Sequence, residues 1–560
     1  MLPCVRTDSS EHRQETDVRR SQRRRTRGDQ TRETRRARER GAIHKDWGGR
    51  LPIALVYPNT YHVGMSSLGF QTLYRQLNAR PDVVCERVFW NPTPRGAPLS
   101  YESRRPLSDF NTLAVSISFE MDYPHLVDLL RGAGIPLWTA ERDASWPLVL
   151  AGGPAVSANP LPVADFLDAV AIGEGEPLLD PLVDALWDAA GDPREDAWQA
   201  LAEIPGLYVP ALHQGQPIHK QWLTDLDAAP TTTVIHTPDT EFADMHLIEI
   251  SRGCVRGCRF CLAGYLCRPK RERSVETIVE QAREGLKQVE RIGLVGAAVS
   301  DYSAIDELVA RLRELGARLS VSSLRVDPLS EPLLAALAES GAQTLTLAPE
   351  AGSERLRRLI HKGVTEDDLL HAALRADHHG FRRLKLYFIL GLPSEEDEDV
   401  TAIAELCEAA AARFSGRVTA NVTPFVPKAH TPFQWTAMTP GRLVAARLRT
   451  LEKRLRQTGI AVRSESPRWT EIQGLLARGD RRLARVLAGL QGASLNDWKR
   501  AMAECEIEAQ PYLGARAPDA PLPWAFIQTG TTNTHLLRQW ERAQGHAPAH
   551  SSSRETSASS

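Results

Sequence analysis

The stretch EISRGCVRGCRFCLAGYLCRP, residues 249–269, holds four of the eight cysteines of this chain. Cys254, Cys258 and Cys261 form a C-x3-C-x2-C triplet, and Gly253 and Gly257 allow the tight backbone that brings three thiolates together. Cysteine thiolates are the usual ligands of iron–sulfur clusters. A structural zinc site normally has four ligands arranged in two pairs, which the triplet does not provide. The spacing therefore favours an iron–sulfur cluster.

Cys267 leaves two alternatives open. If its thiolate is a fourth ligand, the cluster is closed and suited to electron transfer or to structure. If it is not a ligand, one iron keeps an open position, as catalytic metal sites require.

The triplet directly follows the first strand of a series in which short apolar strands alternate with amphipathic helices. The predicted strands are 246–250, 291–299, 317–324, 343–349, 383–391 and 417–425. Alternation of this kind predicts a parallel sheet covered by helices. Six such units are fewer than the eight of a complete barrel.

A second series precedes it, with predicted strands at 52–57, 82–89, 112–118, 147–153 and 168–172. It predicts a Rossmann-like parallel α/β domain, whose ligands bind beyond the carboxyl ends of the strands. The whole chain is thus expected to be α/β, with a mainly helical region after residue 440.

Composition restricts the class of protein. The chain has 560 residues, 42% of them hydrophobic, and a net charge of −2, so no overall field selects nucleic acid or membrane. It contains neither an apolar run long enough to cross a bilayer nor a signal-peptide pattern. Free thiols then indicate a reducing compartment, and a cytoplasmic protein is expected.

The domain boundaries follow from changes in composition. Residues 1–48 are rich in arginine and poor in apolar residues, which predicts a disordered arm. The predicted units are an α/β domain (49–215), a linker (216–244), a partial barrel (245–440), a helical region (441–540) and a disordered tail (541–560).

The triplet, with the aromatic Phe260 directly before its last cysteine, resembles the motif of the radical S-adenosylmethionine (SAM) superfamily. The resemblance implies a partial (β/α)6 barrel and a 4Fe–4S cluster on Cys254, Cys258 and Cys261. It also implies reductive cleavage of SAM to a 5′-deoxyadenosyl radical and a reductant such as flavodoxin or ferredoxin.

The same resemblance implies SAM contacts after the later strands. TLAPEAGSERLRRLIHKG, from residue 346, and LKLYFILGLPSEEDED, from residue 384, are similar to family segments. The implied SAM-binding residues are Phe260, Gly296, Ser323, Arg325, Glu350 and Gly391. The chain departs from the family on the second strand, where 295–298 reads VGAA instead of carrying a Gly-Gly-Glu.

The N-terminal domain is similar to the cobalamin-binding domain found in one radical SAM branch. The residues implied to contact cobalamin are Ser116, Ser118, Gly152, Gly153 and Gly173. The first loop departs from the family's Asp-x-His-x-x-Gly, because NTYHVG has His62 without the aspartate or its spacing. Cobalamin-dependent methyl transfer is therefore one expectation, and a domain that binds another ligand is the alternative.

Two further functions compete with this interpretation. An RNA methylthiotransferase is disfavoured, because that group has three additional cysteines in its N-terminal domain, whereas only Cys4 and Cys85 precede the barrel here. A non-catalytic iron–sulfur protein that associates with RNA would use the arginine-rich arm and the basic helices after residue 440. No residue is assigned to the substrate chemistry, and the substrate is unknown.

Overall fold

The computed structural model describes residues 32–93 and 96–545; the predicted tail beyond 545 and most of the predicted arm lie outside the described residues. The N-terminal strands are β1 (Leu51–Tyr57), β2 (Val83–Phe89), β3 (Thr112–Ser116), β4 (Leu148–Gly152), β5 (Ala169–Ala171), β6 (Leu207–Tyr208) and β7 (Ile218–His219). The later strands are β8 (Met245–Glu249), β9 (Ser251–Arg252), β10 (Arg271–Glu272), β11 (Arg291–Val295), β12 (Arg318–Val321), β13 (Thr344–Glu350), β14 (Arg383–Leu390), β15 (Arg417–Pro424), β16 (Ala461–Ser464) and β17 (Ile527–Gln528).

Nineteen named α-helices connect these strands in the described part of the chain. Those of the N-terminal half are α1 (Tyr61–Met65), α2 (Leu68–Ala79), α3 (Tyr123–Gly132), α4 (Pro154–Ala158), α5 (Leu179–Asp188) and α6 (Arg194–Ala202). Those of the barrel are α7 (Ala263–Leu266), α8 (Val275–Leu286), α9 (Ile305–Glu314), α10 (Glu331–Glu339), α11 (Glu354–Leu359), α12 (Glu366–His378) and α13 (Asp397–Ala411). The last six are α14 (Gly441–Gln457), α15 (Pro467–Ala477), α16 (Leu483–Gly489), α17 (Leu495–Glu504), α18 (Gln510–Leu513) and α19 (Asn533–Ala543).

The N-terminal sheet has the order β2-β1-β3-β4-β5-β6, in which the first five strands are parallel and β6 is antiparallel. Its strands are apolar along their whole length because helices cover both faces: Ala54 and Val56 belong to one core, Ile53 and Leu55 to the other. The strand order reverses between β1 and β3, and such a reversal opens a crevice at the carboxyl ends of the strands. The predicted Rossmann-like domain is confirmed.

The second series forms a partial barrel. β8, β11 and β12 pair in parallel, and so do β13, β14, β15 and β16. One parallel bridge between Leu324 and Leu347 joins the two groups. The six predicted barrel strands are confirmed, and β16, short and largely exposed, adds a seventh within the region expected to be mainly helical.

The C-terminal helices pack on both domains. Helix α14 buries Val444, Leu448, Leu451 and Leu455, a spacing of three and four residues, in the barrel core. Helices α15 to α17 instead contribute to the same core as one face of the N-terminal sheet, for example through Leu476. The C-terminal region thus connects the N-terminal sheet to the barrel.

Segments outside the two domains are also ordered. Residues 32–36 are helical, and Glu39 makes a buried ion pair with Arg87 of β2, at 2.8 Å. Within the predicted linker, β7 pairs with β17 near the C-terminus. In the described ranges, no helix is both long and apolar enough to span a membrane.

Candidate functional site

The cysteine loop (residues 250–267) follows β8 at the carboxyl end of the barrel. Gly253 has φ +81°, and an ideal Cβ at this position would lie 2.4 Å from the carbonyl oxygen of Cys267. Glycine is therefore required at residue 253, where the backbone at the start of the loop lies against the backbone at its end. The backbone N–H of Arg259 donates to the carbonyl of Ile360 at 2.9 Å, which anchors the middle of the loop to the segment after α11.

The three triplet thiols lie close enough to influence one another's ionisation. Cys258 is 7% exposed, and Cys254 and Cys261 are half-buried. Burial, the main cause, raises the pKa of the Cys258 thiol and raises the pKa of the Cys261 thiol to about 11. The neighbouring thiols of the triplet raise both pKa values further. Lys362 and Arg325 oppose the shift at Cys258. This loop thus carries a group of thiols beside fixed positive charge.

The triplet does not have the geometry of a site for one metal ion. Among the residues that the structure describes, no three His, Cys, Asp or Glu side chains converge closely enough to hold a single ion. Three cysteine thiolates on one loop are the donor set that an iron–sulfur cluster takes, and the residues present fit such a cluster.

Cys267 lies in different surroundings. Burial raises the pKa of its thiol, and the charged groups that most affect it are Glu174, Lys220, Arg252 and Arg271 rather than the triplet. The buried Lys220 donates to the carbonyl of Leu266 at 2.9 Å. Cys267 therefore lies on the side of the loop that meets the N-terminal domain.

Charged residues from three later elements surround the triplet. Glu350, at the end of β13, has φ +69° and pairs with Lys362 at 3.0 Å. Asp301 accepts two hydrogen bonds from Arg256 of the cysteine loop, at 2.8 and 2.6 Å. Arg325 lies 3.9 Å from Asp301. Barrel topology brings these groups, which are distant in sequence, to one edge.

The other residues predicted to contact SAM are spread over the same end of the barrel. Phe260 packs on an apolar cluster that includes Ile360 and Phe425. Ser323 is exposed after β12. Gly296 lies against Ser251, whose Oγ would be 2.7 Å from an added Cβ.

Gly391 is engaged by the protein itself. It has φ +88°, and its N–H donates to the carboxylate of Glu395 at 2.9 Å, while its carbonyl accepts from Thr439. Burial raises the pKa of Glu395 to about 7, although Arg447 lies only 3.0 Å away. Gly391 and Glu395 thus form a closed turn after β14.

The residues predicted for cobalamin lie on three adjacent strand ends of the N-terminal sheet. Ser116 and Gly152 are register partners, and Ser118 is exposed. Two of the glycines lie close to other backbone segments. A Cβ added to Gly153 would lie 2.5 Å from the carbonyl oxygen of Ile117, and a Cβ added to Gly173 would lie 2.1 Å from the carbonyl oxygen of Gln221.

His62 lies on α1 rather than on the inner side of these loops. Its imidazole is exposed and lies 3.6 Å from Glu241.

Sequence reasoning missed four groups that contact or flank the cysteine loop: Lys362, Lys220, Glu174 and, as a partner of Arg256, Asp301. Only Lys362 had a local signal, since it lies within the quoted family-like segment that begins at residue 346. Glu174 and Lys220 come from the N-terminal domain and the segment after it, and no spacing rule connects them to the loop.

Comparison with known proteins matches both halves of the chain. A family described as "Radical SAM proteins, N-terminal" matches residues 69–210, and one described as "Radical SAM superfamily" matches residues 248–407. An uncharacterized protein of Methanocaldococcus jannaschii is 30% identical over 444 residues, which cover 78% of this chain and 90% of that protein. The chain belongs to the radical SAM superfamily. It is therefore a radical SAM enzyme, and the family implies a 4Fe–4S cluster and SAM.

More distant relatives carry more specific names. An uncharacterized methyltransferase of Pyrococcus horikoshii is 27% identical, covering 45% of this chain and 56% of that protein. A tRNA-2-methylthio-N(6)-dimethylallyladenosine synthase of Acidithiobacillus ferrooxidans is 27% identical, covering 55% of this chain and 69% of that enzyme. The solved structure of a cobalamin-dependent SAM radical enzyme, OxsB, with aqua-cobalamin and SAM bound, is similar at a TM-score of 0.49 and 13% identity, over 82% of this chain and 71% of that one.

Proposed function

We propose that this enzyme holds a 4Fe–4S cluster on Cys254, Cys258 and Cys261 and cleaves SAM reductively to a 5′-deoxyadenosyl radical. The observation that carries the proposal is the cysteine loop itself, on which the triplet thiols influence one another beside Lys362 and Arg325, whereas the charges that most affect the Cys267 thiol are those of Glu174, Lys220 and Arg252. Three ligands leave one iron for SAM. When bound, the cluster supplies the electron that breaks the sulfur–carbon bond.

The surrounding residues have roles that their charges support. Lys362, Arg325 and Arg256 place positive charge beside the thiolates and the negative cluster they would hold. Glu350 presents a carboxylate that can accept hydrogen bonds from ribose hydroxyls or from an ammonium group. Phe260 and the apolar cluster behind it exclude water from one side of the triplet. Ser323, Gly296 and Gly391 remain proposed SAM contacts.

The test is anaerobic reconstitution with iron and sulfide, followed by reduction with SAM present and measurement of 5′-deoxyadenosine. Cys258→Ala is expected to abolish the product, and Cys267→Ser is expected to retain both cluster and product. Cys407→Ala, at a buried cysteine of α13 far in sequence from the loop, is the matched control and keeps activity. A stable cluster that forms no 5′-deoxyadenosine, or loss of the cluster in Cys267→Ser, would contradict the proposal.

Cobalamin-dependent methyl transfer is the second candidate. Ser116, Gly152 and Gly173 lie at neighbouring strand ends of the N-terminal sheet, on the edge where α4 packs against α7 of the cysteine loop. A flat ligand at this edge would adjoin the cluster site. Titration with hydroxocobalamin, followed by gel filtration and absorbance, tests this: retention of one equivalent supports it, and complete loss of the cofactor contradicts it.

Nucleic-acid modification has less support in the structure. Along α14, Arg447 pairs with Glu395 and Asp397, and Arg454 pairs with Glu408, so these arginines are engaged within the protein. A reductant such as flavodoxin or ferredoxin is a proposed partner. The exposed Val255, at 65%, beside Arg256 in the cysteine loop, offers a contact for it.

A further inference from the structure

The strands of the second barrel group are apolar outside and largely polar inside, with Ala348 and Ile389 as apolar residues on the inner face. Along β14, Leu384, Leu386 and Phe388 are buried in the core beneath the helices. Successive side chains of a strand point to opposite faces, so Lys385 and Tyr387 point into the barrel. Both are only half-buried, which means that solvent-accessible space adjoins them.

The neighbouring strands extend this inner surface. Parallel pairing sets Tyr387 beside Asn421 of β15, and Asn421 beside Arg463 of β16. Val462 packs on the outer core, which leaves its neighbour Arg463 on the inner face. We call Lys385, Tyr387, Asn421 and Arg463 the lumen polar face.

These side chains lack partners within the protein. In the described ranges, Lys385, Tyr387 and Arg463 form no side-chain hydrogen bond or ion pair, and the Oδ1 atom of Asn421 is buried without a donor. A buried polar atom that stays unsatisfied destabilises the folded protein, so such groups usually have a partner. A bound ligand would supply one.

The uncompensated charge on this inner surface is positive. The two acidic residues on the inner faces of the described barrel strands, Glu249 and Glu350, are each paired, with Arg252 at 2.8 Å and Lys362 at 3.0 Å. Lys385 and Arg463 have no such partner. The interior of this partial barrel therefore carries positive charge that an anionic ligand would neutralise.

On the opposite side of the barrel interior, apolar side chains cover Gly293. Met245 and Leu247 of β8 lie over Gly293 of β11, where an added Cβ would lie 2.5 Å from the Sδ atom of Met245. A ligand inside the barrel would therefore have apolar contacts on one side and the lumen polar face on the other.

We propose that the lumen polar face binds an anionic group of the substrate, a carboxylate or a phosphate. Lys385 and Arg463 supply the charge, Tyr387 donates a hydrogen bond, and the amide of Asn421 provides both a donor and an acceptor. This inference rests on the proposed function, because it names the substrate class of the same site: an acidic molecule whose remaining part reaches toward the cysteine triplet.

The test uses the full-length protein after cluster reconstitution, titrated with pyrophosphate and with citrate in a calorimeter at low salt. We expect both anions to bind, and Lys385→Gln and Arg463→Gln each to weaken binding about tenfold, while Lys385→Arg retains most of it. Lys453→Gln removes an exposed lysine of α14 and serves as the matched control, with unchanged affinity. Tighter binding of pyrophosphate would indicate a phosphate, and tighter binding of citrate a carboxylate.

Three results would overturn the inference. The first is no anion binding in the unsubstituted protein, and the second is equal anion affinity in Lys385→Gln and Lys453→Gln. The third is an equal loss of anion affinity in Lys385→Gln and Lys385→Arg, which would indicate an effect of packing rather than of charge. Formation of 5′-deoxyadenosine by the unsubstituted protein is measured separately. Its absence would contradict the proposed function whatever the titrations show, and its presence without anion binding would contradict the lumen inference alone.

Discussion

At the scale of single residues, the site depends on groups held in unusual conformations or pairs. Glu350 has a positive φ and an ion pair with Lys362, and Gly253 has a positive φ with backbone directly against it. For a residue with a side chain, such as Glu350, this conformation costs on the order of 1–3 kcal/mol and persists where the surrounding structure enforces it, whereas glycine adopts it freely. Both positions therefore offer direct tests of how the cysteine loop and its neighbours work.

Glu350→Gln keeps the shape of the side chain and removes its charge. If the carboxylate accepts hydrogen bonds from SAM, the Kd for SAM rises about tenfold, equivalent to about 1.4 kcal/mol, while the cluster still forms. Equilibrium dialysis with labelled SAM measures this. Glu354→Gln, an exposed residue four positions along the chain, is the control. Equal SAM affinity in Glu350→Gln and the unsubstituted protein would remove Glu350 from the site.

Gly253→Ala combines backbone strain with a clash against the carbonyl of Cys267. We expect the loop to be displaced and the iron content after reconstitution to fall several-fold. Gly459→Ala is the matched control, because Gly459 has φ +74° but nothing within 4 Å of an added Cβ. The Gly459→Ala variant has the backbone strain without a clash, and we expect its iron content after reconstitution to be unchanged. Normal iron content in Gly253→Ala would show that the loop tolerates the clash.

At the scale of elements, the loop after β5 holds the cysteine loop from the side of the N-terminal domain. Glu174 accepts from Arg252 and from Arg271, each at 2.7 Å, and from the backbone N–H of Leu223. Burial opposes its ionisation, but the two arginines hold its pKa below the usual range. One carboxylate thus joins Arg252, near the start of the cysteine loop, and Arg271, in β10 just after the loop, to the N-terminal domain.

Glu174→Gln leaves two largely buried arginines without this partner, and breaking a buried pair costs roughly 3–5 kcal/mol. We expect faster amide hydrogen exchange across residues 252–271, with little change elsewhere in the barrel. Glu276→Gln breaks an exposed pair with Arg311 and is the control, with no detectable change. Unchanged exchange in Glu174→Gln would show that the order of the loop does not depend on the Glu174 carboxylate.

At the scale of the whole molecule, the segment after β15 contacts the N-terminal domain through a buried imidazole that must stay neutral. The imidazole of His430, in the segment after β15, donates from Nε2 to the carbonyl of Ala158 in the N-terminal domain at 3.0 Å. Burial lowers its pKa to about 4. Folding therefore requires the neutral imidazole, and acid opposes this contact between the two halves.

The pKa of His430 falls from 6.5 to about 4 on folding, so the folded protein binds fewer protons between these values. Its contribution to stability is present above pH 6.5 and is lost as the pH falls toward 4, by roughly 3 kcal/mol. Urea unfolding at pH 7 and pH 5 measures the part of this loss that is expected by pH 5, about 2 kcal/mol. His430→Gln is expected to reduce the pH dependence, and the exposed His371→Gln to leave it unchanged. An identical pH dependence in all three proteins would contradict the assignment.

Local patterns in the sequence determined much of this protein. Apolar strands alternating with helices predicted both α/β units, because strands buried on both faces are necessarily apolar throughout. The triplet predicted the loop on which a cluster would lie, since its ligands are neighbours in the chain. Its role as ligand set, and the SAM and cobalamin contacts, remain predictions.

Four features were decided only by the tertiary structure. They are the surroundings of the Cys267 thiol, the contact of Glu174 with the cysteine loop, the core that α15 to α17 share with the N-terminal sheet, and the lumen polar face. Each depends on strand register or on contacts between segments separated by tens to hundreds of residues. A sequence records which residues can pair or pack, but burial and charge at these positions are set by neighbours that folding brings together. That is why the site's thiols could be read from the chain and its surroundings could not.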